Sequence, residues 1–259
     1  MLLVAAPAQA QTIEAVDRTA LRVCADPNNL PFSNENGEGF ENKIAELLAA
    51  ELKVPVRYAW YPQATGFLRN TLWARRCDVV LGMPGGSDAV LSTNPYYRST
   101  YALVYPAGRE TVVDRLDDPA LKSLRIGLIA GTPPSTLLAQ NGLMQQVRPY
   151  HLVVDTRYES PAKTMIEDLV SGEIDVGILW GPLAGYYAGR QDPPLKVVLL
   201  LHEPAYAHLD FWIAMGVRPE EVQWKHDLNT LIERKQADIE RILKDYGVPL
   251  LDRQGQPMR

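Results

Sequence analysis

The feature that narrows this chain most is an alternation that runs twice: short apolar stretches, each followed by a turn-rich loop and then by apolar residues at helical spacing. Stretches so uniformly apolar are buried on both faces, the mark of parallel strands covered by helices. In the first pass residues 21–25 (LRVCA) read as a strand and 26–32 (DPNNLPF) as a loop, because two prolines and two asparagines favour non-helical dihedrals. Ile44, Leu47, Leu48 and Leu52 then give residues 41–53 one buried helical stripe. Residues 54–60 are a second strand, 70–76 a polar stretch with helical character and 77–83 (CDVVLGM) a third, buried strand. Residues 100–104 add a strand and 105–108 (YPAG) a hinge.

The pattern restarts at 124–130 (LRIGLIA), a strand whose loop, 131–134, opens a helix at 135–140. A short strand at 153–154, a helix at 162–171, a strand at 174–180, a helix at 183–187 and a strand at 195–201 follow. A strand at 210–217 (DFWIAMGV) and a long amphipathic helix at 227–246, stopped by Gly247 and Pro249, close the chain. A chain that leaves one α/β unit, builds a second and returns makes two lobes, here 11–106 with 206–259, and 107–205. Each lobe is expected to hold a mixed, mostly parallel sheet flanked by helices, with a ligand cleft between the lobes. Ligands of open parallel sheets lie beyond the carboxyl ends of the strands, so loops 26–32, 83–87, 131–134 and 180–181 are expected to face that cleft.

Charge and composition remove several classes of function. The 259 residues carry a net charge of −5 with both signs interleaved, so no basic stripe exists to meet a phosphate backbone. Residues 1–10 (MLLVAAPAQA) read as the tail of a signal peptide with its cut after Ala10, although the basic leading region is missing. No stretch is apolar for long enough to span a bilayer. The expectation is a soluble periplasmic protein, monomeric when isolated.

Cys24 and Cys77 have no CxxC spacing and no histidine nearby, which leaves a zinc site without ligands. They read either as a disulfide between neighbouring strands, adding about 4 kcal/mol by closing a long loop, or as two unpaired buried thiols. His202, Glu203 and His208 lack metal-ligand spacing, and Gly37-Glu38-Gly39 has neither the preceding strand nor the third glycine of a nucleotide loop. Ser87, in GGSDA, has no histidine on a neighbouring strand end to serve as its base. No metal and no cofactor are expected.

The strings at 21–49 (LRVCADPNNLPFSNENGEGFENKIAELLA), 77–86 (CDVVLGMPGG) and 94–108 (NPYYRSTYALVYPAG) resemble the family 3 extracellular solute-binding proteins that serve ABC importers. They are more similar still to the quinoprotein-dehydrogenase-associated MxaJ and XoxJ branch of methylotrophic bacteria, in which both cysteines, the NNLPFSN loop and the GFENKIA helix start are expected. The resemblance runs from about residue 21 to residue 248 and implies the type II periplasmic binding protein fold.

The resemblance also implies what a receptor for amino acids would carry in the cleft, and this chain departs from it. Ala89 stands where the carboxylate-gripping arginine belongs, and Pro84-Gly85-Gly86 replaces a hydroxyl-bearing loop. Asn29 takes the place of an aromatic lid and Trp180 that of the acid that meets the ligand amine. Thr132 persists, but Pro133 beside it removes a backbone donor. Stacking faces and amides remain for something larger and flatter: Asn28, Asn29, Phe32, Trp60, Tyr61 and Phe67, with Met83, Pro84, Gly85, Thr132 and Trp180 completing the candidate cleft.

Three functions of different class follow. The first, implied by the branch, is an accessory protein that docks to a PQQ-dependent methanol dehydrogenase, the lanthanide-dependent type included, with its c-type cytochrome nearby, and assists its maturation or activation. The second is a transport receptor for an unidentified small organic solute that is not a standard amino acid. The third, an enzyme on this scaffold, needs an acid and a base converging in the cleft, and the four loops offer no such pair by sequence.

Overall fold

The structure, a computed structural model, describes residues 16–109, 113–204 and 207–258, so the expected signal-peptide remnant lies outside it. In chain order the first half runs β1 (Leu21–Ala25), a tight hairpin of β2 (Asn28–Asn29) and β3 (Ser33–Asn34), α1 (Phe40–Leu52), β4 (Val56–Trp60), α2 (Phe67–Asn70), β5 (Val79–Pro84), β6 (Leu91–Ser92) and β7 (Tyr97–Tyr105). The second half runs β8 (Ile126–Ile129), α3 (Pro134–Gln140), β9 (Val147–Tyr150), α4 (Pro161–Val170), β10 (Val176–Trp180), α5 (Gly181–Ala188), β11 (Lys196–Leu199), β12 (Asp210–Val217) and α6 (Val222–Asp245).

The apolar runs are central strands, as their composition requires. Strand β1 pairs in parallel with β4 on one side and β5 on the other, and β8 lies in parallel between β10 and β9. Strand β7 joins the two halves: Tyr97–Thr100 pairs with β12, whereas Tyr101–Val104 pairs with β10, and β11 also lies antiparallel to it. One hydrogen-bonded path, β4-β1-β5-β12-β7-β10-β8-β9, therefore runs through both halves instead of stopping at a gap between separate sheets.

Each half has its own core. Ile44, Leu48 and Phe40 of α1 meet Leu228, Ile239 and Leu243 of α6 and the inner faces of β1, β5 and β12. In the second half Leu137 and Leu138 of α3 cover one sheet face, and Met165, Ile166 and Leu169 of α4 cover the other. The tyrosines 96, 97 and 105 are buried parts of this packing.

Besides shifts of a few residues at strand ends, three elements differ from those read off the sequence. The edge strand is Val147–Tyr150, not 153–154, and Val153 is 61% exposed in a bend. Arg148 and Pro149 broke the apolar run, yet at a sheet edge a proline costs no ladder bond. The expected helix at 70–76 is instead the single turn Phe67–Asn70: Thr71 Oγ1 bonds the Phe67 carbonyl and Arg218 takes the carbonyls of Leu72 and Cys77, ending the helical ladder. Helix α6 begins at Val222, five residues before the amphipathic run was expected to start at 227.

Cys24 of β1 and Cys77, two residues before β5, are bonded as a disulfide with Cα atoms 5.3 Å apart. Phe67, Leu72, Val80 and Val90 pack around it.

Candidate functional site

The carboxyl ends of β1 and β4 converge on Asp26, which is 2% exposed. Its carboxylate caps the loop that follows: Oδ1 accepts from the Asn28 amide at 2.9 Å and Oδ2 from the Gln63 amide at 2.5 Å. The third donor comes from the other half of the molecule. Thr156 Oγ1 lies 2.8 and 2.9 Å from the two oxygens, so its single proton is shared between them. Asn28 Nδ2 donates to the Thr156 carbonyl at 2.9 Å, and Tyr187 Oη of α5 donates to the Leu30 carbonyl at 3.0 Å. The two halves thus touch through polar groups across the mouth of the cleft.

A tight approach shapes this loop. The Asn42 side chain accepts from the amides of Gly39 and Asn34, capping α1 from within, and a Cβ on Gly39 would fall 2.1 Å from the Phe32 carbonyl oxygen. Glycine is the residue that lets the 26–34 loop fold onto the helix start. Next to it Glu41 places its carboxyl against Gly82. Burial, and then the negative charge of Asp26, push the Glu41 pKa up to about 8. Near neutrality Glu41 keeps its proton.

Two grooves flank the Asp26–Thr156 contact. One, of about 800 Å³, is lined by Asn28 and Leu30 together with Tyr158, Tyr187 and Arg190; the guanidinium of Arg190 lies 3.6 Å over the Tyr186 ring. The other, about 510 Å³, has Pro27, Trp60 and Tyr61 facing Val153, Asp155 and Arg157.

The candidate residues therefore fall into separate places. Asn28, Asn29, Trp60 and Tyr61 gather around the mouth, where Asn29 Nδ2 donates to Gln63 Oε1 at 3.1 Å and Trp60 stacks on Tyr58 at 4.4 Å. Phe32 packs edge-on against Phe40, its ring half-buried. Trp180 sits where β7 crosses between the halves, with Tyr101 and Phe211 on either side at 5.4 and 5.8 Å. Phe67 is buried beside the disulfide and Met83 packs on the same cluster. Pro84 pairs with Ile213, the Gly85 amide donates to the Trp212 carbonyl, and Thr132 Oγ1 turns back to the Ile129 carbonyl.

Sequence reasoning missed Glu41, Thr156 and Tyr187. The acid in the first turn of α1 was a visible signal for Glu41, while nothing local marks Thr156, whose role exists only across 130 residues of chain. Asp26 and Glu41 are also two electrostatically coupled carboxyl groups that the four loops, read one by one, did not offer, since Glu41 lies outside them.

Two α/β halves joined through β7, with polar groups meeting across a mouth at the carboxyl ends of the strands, define a bilobal binding protein of the type II periplasmic class. No family model matches the chain. The crystal structure of the periplasmic binding protein XoxJ from Methylobacterium extorquens AM1 is 47% identical, covers 90% of this chain and 99% of its own, and superposes with a TM-score of 0.77. MxaJ from Methlophaga aminisulfidivorans MPT is 28% identical over 89% of this chain and all of its own, with a TM-score of 0.76. Protein MoxJ of Methylorubrum extorquens is 29% identical over 95% of this chain and 89% of its own. The chain belongs to the MxaJ/XoxJ branch of the periplasmic binding proteins.

Proposed function

We propose that this chain is a periplasmic accessory protein of methanol oxidation that docks to a PQQ-dependent methanol dehydrogenase, the lanthanide-dependent type included, and assists its maturation or activation. The reading keeps residues 1–10 as the exported leader's remnant and takes 11–106 with 206–259, and 107–205, as the two lobes. It treats the chain as a binding protein and not as an enzyme, with a c-type cytochrome as neighbour of the complex.

One observation carries the proposal: the cleft has lost the groups that hold an amino acid and has satisfied the carboxylate that remains. No arginine lies in loops 26–32, 83–87, 131–134 or 180–181, and the three donors on Asp26 belong to the chain itself. A solute carboxylate held by those four loops would meet no guanidinium from them, each missing ionic hydrogen bond being worth about 1.5–3 kcal/mol; the arginines nearby, Arg157 and Arg190, line the flanking grooves instead. Beside the cleft, by contrast, the 151–158 segment turns outward, with Leu152 55%, Val153 61% and Tyr158 81% exposed. Apolar and aromatic groups displayed on a loop at the rim suit a protein partner.

Pull-down of the dehydrogenase by this chain, with the dehydrogenase before and after loading with metal and PQQ, tests the proposal. Retention in at least one state is expected, and absence of retention in every state contradicts it. A transport receptor would behave differently: a thermal-shift screen would find a small solute that, at saturation, adds about 3 kcal/mol to stability.

A further inference from the structure

Solute-binding folds of two lobes close when a ligand supplies contacts to both sides at once. Here the chain supplies them. The carboxylate of Asp26, at the carboxyl end of β1, is bonded on one side by the Asn28 and Gln63 amides of its own half and on the other by Thr156 of the opposite half. The same threonine offers its carbonyl to Asn28 Nδ2, so one residue is gripped twice. Beyond it Tyr187 Oη reaches the Leu30 carbonyl and lies 3.4 Å from Ser160 Oγ.

The opposite side of the joint is equally closed. A Cβ on Gly185 of α5 would fall 1.8 Å from the Gly247 carbonyl oxygen, and the rings of Tyr186 and Tyr246 stack at 6.1 Å across the same seam. Helix α5 is thus held between the Leu30 loop and the segment after α6, both of which belong to the first half.

We infer that Thr156 is an internal ligand of Asp26: its hydroxyl takes the acceptor positions that an entering solute donor would need, and closure of the two lobes is held by the chain's own contacts. Thr156 thereby sets specificity by exclusion, because any ammonium, guanidinium or hydroxyl group must displace it to reach that carboxylate. The inference shares the donors on Asp26 with the proposed function but needs no dehydrogenase, so scattering tests the Thr156 contact and retention of the dehydrogenase tests the partner.

Small-angle X-ray scattering of the full chain tests it with three forms, each checked for an intact disulfide and a cooperative melt. The wild type is expected to scatter as the closed form, with a radius of gyration unchanged by millimolar guanidinium or methylammonium. Thr156→Val, which keeps the shape and removes the donor, is expected to show a larger radius of gyration that contracts when guanidinium is added. Thr156→Ser restores the hydroxyl and is expected to return to the wild-type value. Should the valine variant fail to fold, Tyr187→Phe removes the neighbouring bond across the same mouth and is expected to open the lobes in the same sense. A wild type that scatters as an open form, or a folded Thr156→Val with the wild-type radius, overturns the inference, as does a serine variant that stays open.

Discussion

Arg218 is 2% exposed and spends its donors on four acceptors: Asp78 at 2.6 Å, Glu221 at 2.8 Å through Nε, and the carbonyls of Leu72 at 2.9 Å and Cys77 at 2.6 Å. Arg22 adds a two-pronged contact to Asp78 at 2.7 Å for each prong. Removing one member of such a buried network leaves the others charged and desolvated, so Arg218→Met is expected to cost about 3–5 kcal/mol, read from the urea midpoint. Glu41 gives the opposite kind of prediction. Folded, it holds its proton up to about pH 8, whereas unfolded it releases it near the ordinary 4.5. Between those values the folded chain binds one proton more than the unfolded chain, so stability falls as pH rises through that window and levels off above it. Glu41→Gln removes this linkage, and its advantage in thermal melts is expected to widen by at most about 1.4 kcal/mol per pH unit from pH 5 to 8. A constant gap across that range contradicts the assignment.

At the scale of elements, the disulfide closes a sequence separation of 53 residues, for which chain entropy gives about 4 kcal/mol. Cys24→Ser with Cys77→Ser is expected to lower the urea midpoint by that order, and a reductant is expected to lower the wild-type midpoint without affecting the double variant. The strands and most helices were legible because burial writes an apolar run, unbroken at 126–129 and 213–217 and interrupted at 21–25 only by Arg22. The cysteine pair was legible for the same reason, since both thiols lie on runs that had to be neighbours. Strand β9 was not, because an edge strand tolerates Arg148 and Pro149 and loses the apolar signature. The single turn of α2 escaped because its end is decided by Arg218, far away in sequence. Around the cleft, the expected loss of the amino-acid clamp rests on the resemblance alone, and the contact of Thr156 with Asp26 left no mark in the sequence, for it depends on how two halves meet.

For the whole molecule, the account joins three things: a bilobal fold shared with XoxJ at 47% identity, a cleft whose carboxylate is satisfied from within, and an exposed apolar loop at its rim. If that loop meets the partner, Tyr158→Ala should weaken association by roughly tenfold or more, the scale of an aromatic hot spot, and leave the melting midpoint unchanged. The central claim, a protein partner in place of a transported solute, is tested most directly by sedimentation velocity of this chain mixed with the purified dehydrogenase in its empty, PQQ-loaded and metal-and-PQQ-loaded forms. The account predicts a faster-sedimenting complex in at least one of the three. Independent sedimentation of the two proteins in all of them would contradict it.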